Sequence, residues 1–262
     1  LKMTKNFERE VDILMRLRHP NILIVFGIID DDLTSLQLVT ELATRDLCNF
    51  LKQSSDALPL SEQLNMCLQI ASGMRYLHSR NVAHRDLKSE NVLVCDNDEC
   101  KISDFGLSKE STGTTVSTGS NQVIGTFNWS APELFTKKNS KIDILKADRW
   151  SYGVLVWEVA TRKIPWSGMD MLDLTYTVGI EKQKLELSES HNETMIAILN
   201  GCCEVEPDKR MTFDTIHECL STALKVTATA RQAAHPVELP PFVRKESFLC
   251  QDLRELLESL GI

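Results

Sequence analysis

HRDLKSEN (residues 84–91) and, a little further on, DFG (104–106) are the stretches from which the rest of the chain can be read. The first sets Asp86, Lys88 and Asn91 close together on one loop. The second brings another carboxylate, Asp104, 18 positions after Asp86 (104 − 86). Phosphoryl transfer needs few parts: metal ions to hold phosphates, a carboxylate to orient the attacking hydroxyl, and a cation for developing charge. Magnesium prefers carboxylate and neutral oxygen ligands and keeps several waters. Asp86 is suited to accept the proton of an incoming hydroxyl, and Lys88 to reach the transferred phosphate. Asn91 and Asp104 are suited to hold the metals.

Composition narrows the alternatives. The chain has 262 residues, is 42% hydrophobic and carries a net charge of −8, enough apolar content for a sizeable core. An acidic protein of this kind has no electrostatic reason to coat nucleic acid or an anionic membrane. Its longest apolar stretch, ILIVFGII (22–29), is too short to span a bilayer, and no signal peptide is recognisable. The 8 cysteines form no CxxC pair. Reduced core thiols in a cytoplasmic protein are therefore expected, not zinc or disulfides. The sequence opens at Leu1 and reads as a piece of something longer.

Along the chain, Phe7, Val11 and Leu14 recur at helical spacing within 4–18, with Glu10 on the same flank, and His19-Pro20 ends that helix. Two β-rich runs, 22–29 and 36–42, predict a hairpin. A helix over 61–78 carries Leu64, Leu68, Ala71 and Met74 on one stripe. Short strands at 92–95 and 100–103 flank a turn. Residues 111–120 (STGTTVSTGS) have the composition of a mobile loop. The stretch 148–161 (DRWSYGVLVWEVAT) is apolar almost all round, as a buried helix is. Helices near 193–203 and 213–225 follow, then a proline-containing linker (226–246) and an amphipathic tail helix (247–262). A small sheet followed by a helical body predicts an α+β architecture of two lobes with a cleft between them.

HRDLKSEN, DFG and APE (131–133), in that order and spacing, resemble the catalytic domain of a protein kinase. The resemblance covers about 3–225. It implies the two-lobed α+β kinase fold, here with an incomplete N-terminal β lobe (1–43) and a mainly helical C-terminal lobe (44–225). It also implies ATP and Mg2+ as cofactors. Glu10 falls where the family carries a helix glutamate that pairs with the ATP-binding lysine. Thr40 resembles the gatekeeper, and Glu41 to Ala43 the hinge that bonds adenine. Asp46 either holds the ribose or caps the following helix, and Leu93 lies beneath adenine. Leu14, Val25, His84 and Phe105 match a hydrophobic column joining the lobes. Asp148 either anchors the catalytic loop backbone or caps its own helix. Glu133 and Arg210 match a buried structural ion pair.

DFGLSK, GTFNWSAPE and WSYGVLVWE are similar to the tyrosine-kinase-like group, which includes mixed-lineage and Raf-type kinases. Lys88 and Thr126, the latter bracing Asp86 and Lys88, favour a serine/threonine specificity. Protein hydroxyls are then the substrates, in signal transduction. Arg85 and Lys109 are placed to bind a phosphate on the 104–133 segment, with Ser120 the candidate acceptor and an upstream kinase the implied partner. The glycine-rich loop and the ATP-binding lysine strand of the family are not in this sequence. The competing reading is accordingly a truncated pseudokinase, or a scaffold with a kinase fold. The tail helix either serves self-association or packs on its own domain.

Overall fold

β-branched and aliphatic residues build the first hairpin. Strands β1 (Val25–Asp31) and β2 (Ser35–Thr40) pair antiparallel, with Val25 opposite Thr40 and Ile28 opposite Leu38, and a register irregularity between Val25 and Gly27. The structure, a computed structural model, describes residues 15–31, 35–53, 58–104, 127–136 and 142–234. Of the expected first helix, residues 15–18 fall within them, with Met15 and Arg16 helical. A second sheet, in the order β3-β4-β5, joins β3 (Arg45–Asp46), β4 (Val92–Val94) and β5 (Cys100–Ile102), all antiparallel. Short strands suit their task, which is to aim the loops at their ends.

Helices supply the remainder. α1 (Leu47–Gln53) follows β3 directly, and α2 (Leu60–Ser79) buries Leu64, Ala71 and Met74 on the expected stripe. α3 (Pro132–Thr136) is short. α4 (Ile144–Thr161) is buried on nearly every side, with Trp150, Tyr152, Val154, Leu155, Val156 and Val159 in the core. α5 (Met171–Leu174) continues into a π-helical turn, Thr175–Ile180. α6 (Glu193–Cys202) packs on α4, and α7 (Phe213–Ala234) closes the described chain. Each fully buried aliphatic or aromatic side chain contributes roughly 1.5–3 kcal/mol, so α4 and its neighbours are the stable centre.

Two sequence expectations need correction. α4 begins at Ile144, four residues ahead of Asp148, so Asp148 does not open the helix. The segment read as the start of the linker, 226–234, is helical, because KVTATARQAA (225–234) holds good helix formers and no proline or glycine before Pro236. Compact units comprise Leu1–Leu224 and Lys225–Ile262. The rest of the linker and the tail helix lie outside the described residues. No described helix is long and apolar enough to cross a membrane.

Candidate active site

The catalytic loop hangs from the buried helix. Asp148 is buried, and its two carboxylate oxygens accept hydrogen bonds from the backbone N–H of His84 (2.8 Å) and of Arg85 (2.8 Å). His78 Nε2 lies 2.9 Å from the same carboxylate. Helix capping does not describe this residue: the N-cap position is Asp143, whose side chain makes no capping bond. Next, Arg85 adopts φ 74°, a left-handed conformation costing a non-glycine residue on the order of 1–3 kcal/mol. The bonds to Asp148 hold that bend, and the bend delivers Asp86. His84 Nδ1 accepts from the Asp86 N–H at 3.3 Å, and burial keeps this imidazole below its ordinary pKa, hence neutral.

Three of the four candidate groups meet at Asp86. Asn91 Nδ2 donates to the Asp86 carbonyl (2.8 Å) and to its carboxylate (3.1 Å), while Lys88 Nζ stands 3.5 Å from the same carboxylate. The fourth is brought in by backbone. Both the N–H and the hydroxyl of Ser103 donate to the Asn91 carbonyl, at 2.9 and 3.1 Å, which sets the adjoining Asp104 beside the loop. Asp104 is exposed and has φ 54°. Because the Asn91 amide nitrogen is committed to Asp86, its amide oxygen is left to face a hard cation. That donor set fits magnesium, which needs only one or two carboxylates beside phosphate oxygens and water. Among the described residues no group of three or more His, Cys, Asp or Glu forms a self-sufficient metal cage.

Toward the hairpin, Thr40 donates its hydroxyl to the Glu41 carbonyl (3.1 Å), and Glu41 donates its N–H to the Ile24 carbonyl (3.0 Å) and accepts from the Ile24 N–H on its carboxylate (2.8 Å). Ala43 is half-buried. Asp46 accepts from the Asn49 N–H (2.8 Å) and side-chain amide (2.6 Å), the geometry of a cap on α1. Leu93, half-buried at the centre of β4, is the strand partner of both Asp46 and Lys101. Away from the loop, Glu133 and Arg210 form a buried two-pronged ion pair, 2.7 Å at each prong, and Arg210 also donates to the carbonyls of Glu204 and Lys146. Glu10, Leu14, Phe105, Lys109, Ser120 and Thr126 lie outside the described residues.

One functional neighbour escaped the sequence reading. Glu158, buried on α4, accepts from the Ser89 hydroxyl (2.6 Å) and the Trp129 indole N–H (3.1 Å). It thereby joins the catalytic loop to the segment before APE. Burial pushes its carboxyl up to about 7, with Glu90 adding to the rise and the two hydrogen bonds and Lys52 opposing it. An acid within the apolar run VLVWEVA (154–160) was the available signal.

A family model described as protein tyrosine and serine/threonine kinase matches residues 2–220. The chain belongs to the protein kinase family. The incomplete two-lobed α+β fold is that of its catalytic domain. Among curated relatives, the serine/threonine-protein kinase CTR1 of Arabidopsis thaliana is 39% identical over 224 residues, covering 84% of this chain and 27% of that protein. A mitogen-activated protein kinase kinase kinase of Drosophila melanogaster is 33% identical over 97% of the chain and 22% of its own length. The probable serine/threonine-protein kinase drkD of Dictyostelium discoideum is 34% identical over 82% and 16%. The kinase domain thus spans between a sixth and about a quarter of these three relatives.

Proposed function

We propose that this kinase domain transfers the γ-phosphate of ATP to serine or threonine hydroxyls of a protein substrate in a signalling pathway. The observation that carries the reading is the joining of Asp86, Lys88 and Asn91 by direct contacts, with Asp104 tied to Asn91 through Ser103. Asp86 orients the substrate hydroxyl and accepts its proton. Lys88 meets the charge on the transferred group. Asn91 and Asp104 hold magnesium, which when bound neutralises the phosphates. Thr40 to Ala43 and Leu93 receive adenine, and Asp46 keeps its capping role while facing the ribose. A scaffold that only uses the fold has no need of all four polar groups together. The 7 described cysteines are all free, which fits a cytoplasmic location.

The test is phosphotransfer to a Ser/Thr protein substrate by the full-length protein. Asp86→Asn is expected to lower kcat by about a hundredfold or more, the range of a lost general base. A variant as active as wild type sinks the catalytic reading and leaves the scaffold. The same assay addresses control by an upstream kinase, for which the 104–133 segment supplies acceptors including Ser120, and Arg85 and Lys109 supply cations. Replacing the seven hydroxyls of 111–120 with alanine is expected to leave the enzyme insensitive to activation. Unaltered activation removes that part.

A further inference from the structure

Lys101 is the odd residue of β5: a lysine, 7% exposed, between buried Cys100 and Ile102. Long cationic side chains are almost never this buried without partners. Here the ammonium donates to the Pro20 carbonyl at 3.0 Å and lies 3.2 Å from Glu41 Oε2, with the more exposed Glu99 carboxylate at 3.9 Å. The other Glu41 oxygen accepts from the Ile24 N–H. Backbone bonds run alongside, from Ile102 N to Asn21 O (3.0 Å) and from Leu23 N to Ile102 O (2.9 Å). One charge therefore fastens three pieces of chain: the 19–24 segment, the Thr40–Ala43 stretch and β5, which ends two residues before Asp104. On the neighbouring strand Leu93 is its partner.

We propose that Lys101 is a positioning residue for nucleotide binding, its ammonium locking Glu41 to the strand that leads into Asp104. The adenine end and the metal end of the nucleotide site are then held at a fixed separation. The inference rests on the hinge reading given above and assigns it a device. Lys101 itself touches no reacting atom. Removing the ammonium leaves the Glu41 carboxylate without its cation and frees the hinge to shift relative to Asp104; an ångström-scale misplacement is enough to weaken binding substantially.

Lys101→Met keeps the length and apolar stem while removing the charge. In the full-length protein its KM and Kd for MgATP are expected to rise about tenfold, with kcat and the KM for the protein substrate changing less than about twofold. Lys101→Arg, which restores a cation, is expected to recover most of the affinity. Glu41→Gln breaks the same link from the less buried side and is expected to weaken MgATP binding as well; it carries the test should Lys101→Met not fold. Unchanged MgATP affinity in the folded variant overturns the proposal. So does a fall in kcat with affinity intact. Asp86→Asn run in parallel separates the two readings: if it abolishes transfer while Lys101→Met binds MgATP normally, the lock fails and the kinase assignment stands.

Discussion

Glu158 sits in the core of α4 with its carboxyl shared between Ser89 and Trp129. Burial raises its pKa from 4.5 to about 7. Between those two values the folded protein keeps a proton that the unfolded chain has released. Stability is therefore fully present below about pH 4.5, declines as pH rises toward 7, and levels off beyond, a loss on the order of 3 kcal/mol. Glu158→Gln carries no titrating group while keeping one oxygen acceptor and a similar volume. Its urea midpoint is expected to change little from pH 5 to pH 8, whereas the wild-type midpoint falls. Parallel profiles for the two proteins would assign the pH dependence to other groups. The loop groups Asp86, Lys88, Asn91 and Asp104 were legible in the sequence because their chemistry forces a spacing that can be seen in one line of text. Glu158 was not, since its partners lie 69 and 29 positions away and nothing local betrays them.

Between elements, α4 approaches α6 closely at Gly153. A Cβ on Gly153 would stand 2.7 Å from the Cys202 Cβ and 2.9 Å from the Cys203 Sγ, distances that real contacts do not show. The helix therefore tolerates glycine for the sake of packing, against a propensity cost of roughly 1 kcal/mol. Gly153→Ala sets the two effects against each other. Propensity favours the alanine by at most about 1 kcal/mol, while forcing a methyl into a filled core costs about 1–3 kcal/mol. The variant is expected to be less stable by about 1–2 kcal/mol in denaturant unfolding; a rise in stability would mean that α6 gives way easily. Sequence spacing found both helices but not this contact. It also left Asp148 between two roles, because the start of α4 at Ile144 carries no capping side chain that could mark it. Only with the helix placed does the carboxylate turn from a helix end to the backbone of His84 and Arg85.

Across the whole kinase domain, legibility follows burial. α2, α4, β4 and β5 were foreseen within one to four residues, since their apolar periodicity is the record of one shared core. α3 and the turn Met171–Ile180 were missed, being short, and α1 was foreseen only as the helix that Asp46 caps. The β1–β2 hairpin was foreseen too, yet its energetic position differs from that of α4. Among the described residues it is a two-stranded sheet with Phe26 62% and Ile29 52% exposed, and such a pair is at best marginal by itself. Its ties to the body include the backbone bonds of Leu23 and Asn21 to Ile102, the Glu41–Lys101 ion pair and the burial of Val25. Local opening should therefore release the hairpin at far lower free energy than the core, which opens only with global unfolding. Native-state hydrogen exchange of this chain is expected to show the amides of Val25–Asp31 and Ser35–Thr40 exchanging at least a hundredfold faster than those of Trp150–Val159, a gap of ~2.7 kcal/mol or more. Added MgATP should slow the hairpin amides and leave α4 unchanged, because only the former border the proposed nucleotide site. Equal protection in both segments without ligand would show that the hairpin shares the core's cooperativity, and that Leu23 and Glu41 couple it far more tightly than two short bonded stretches account for.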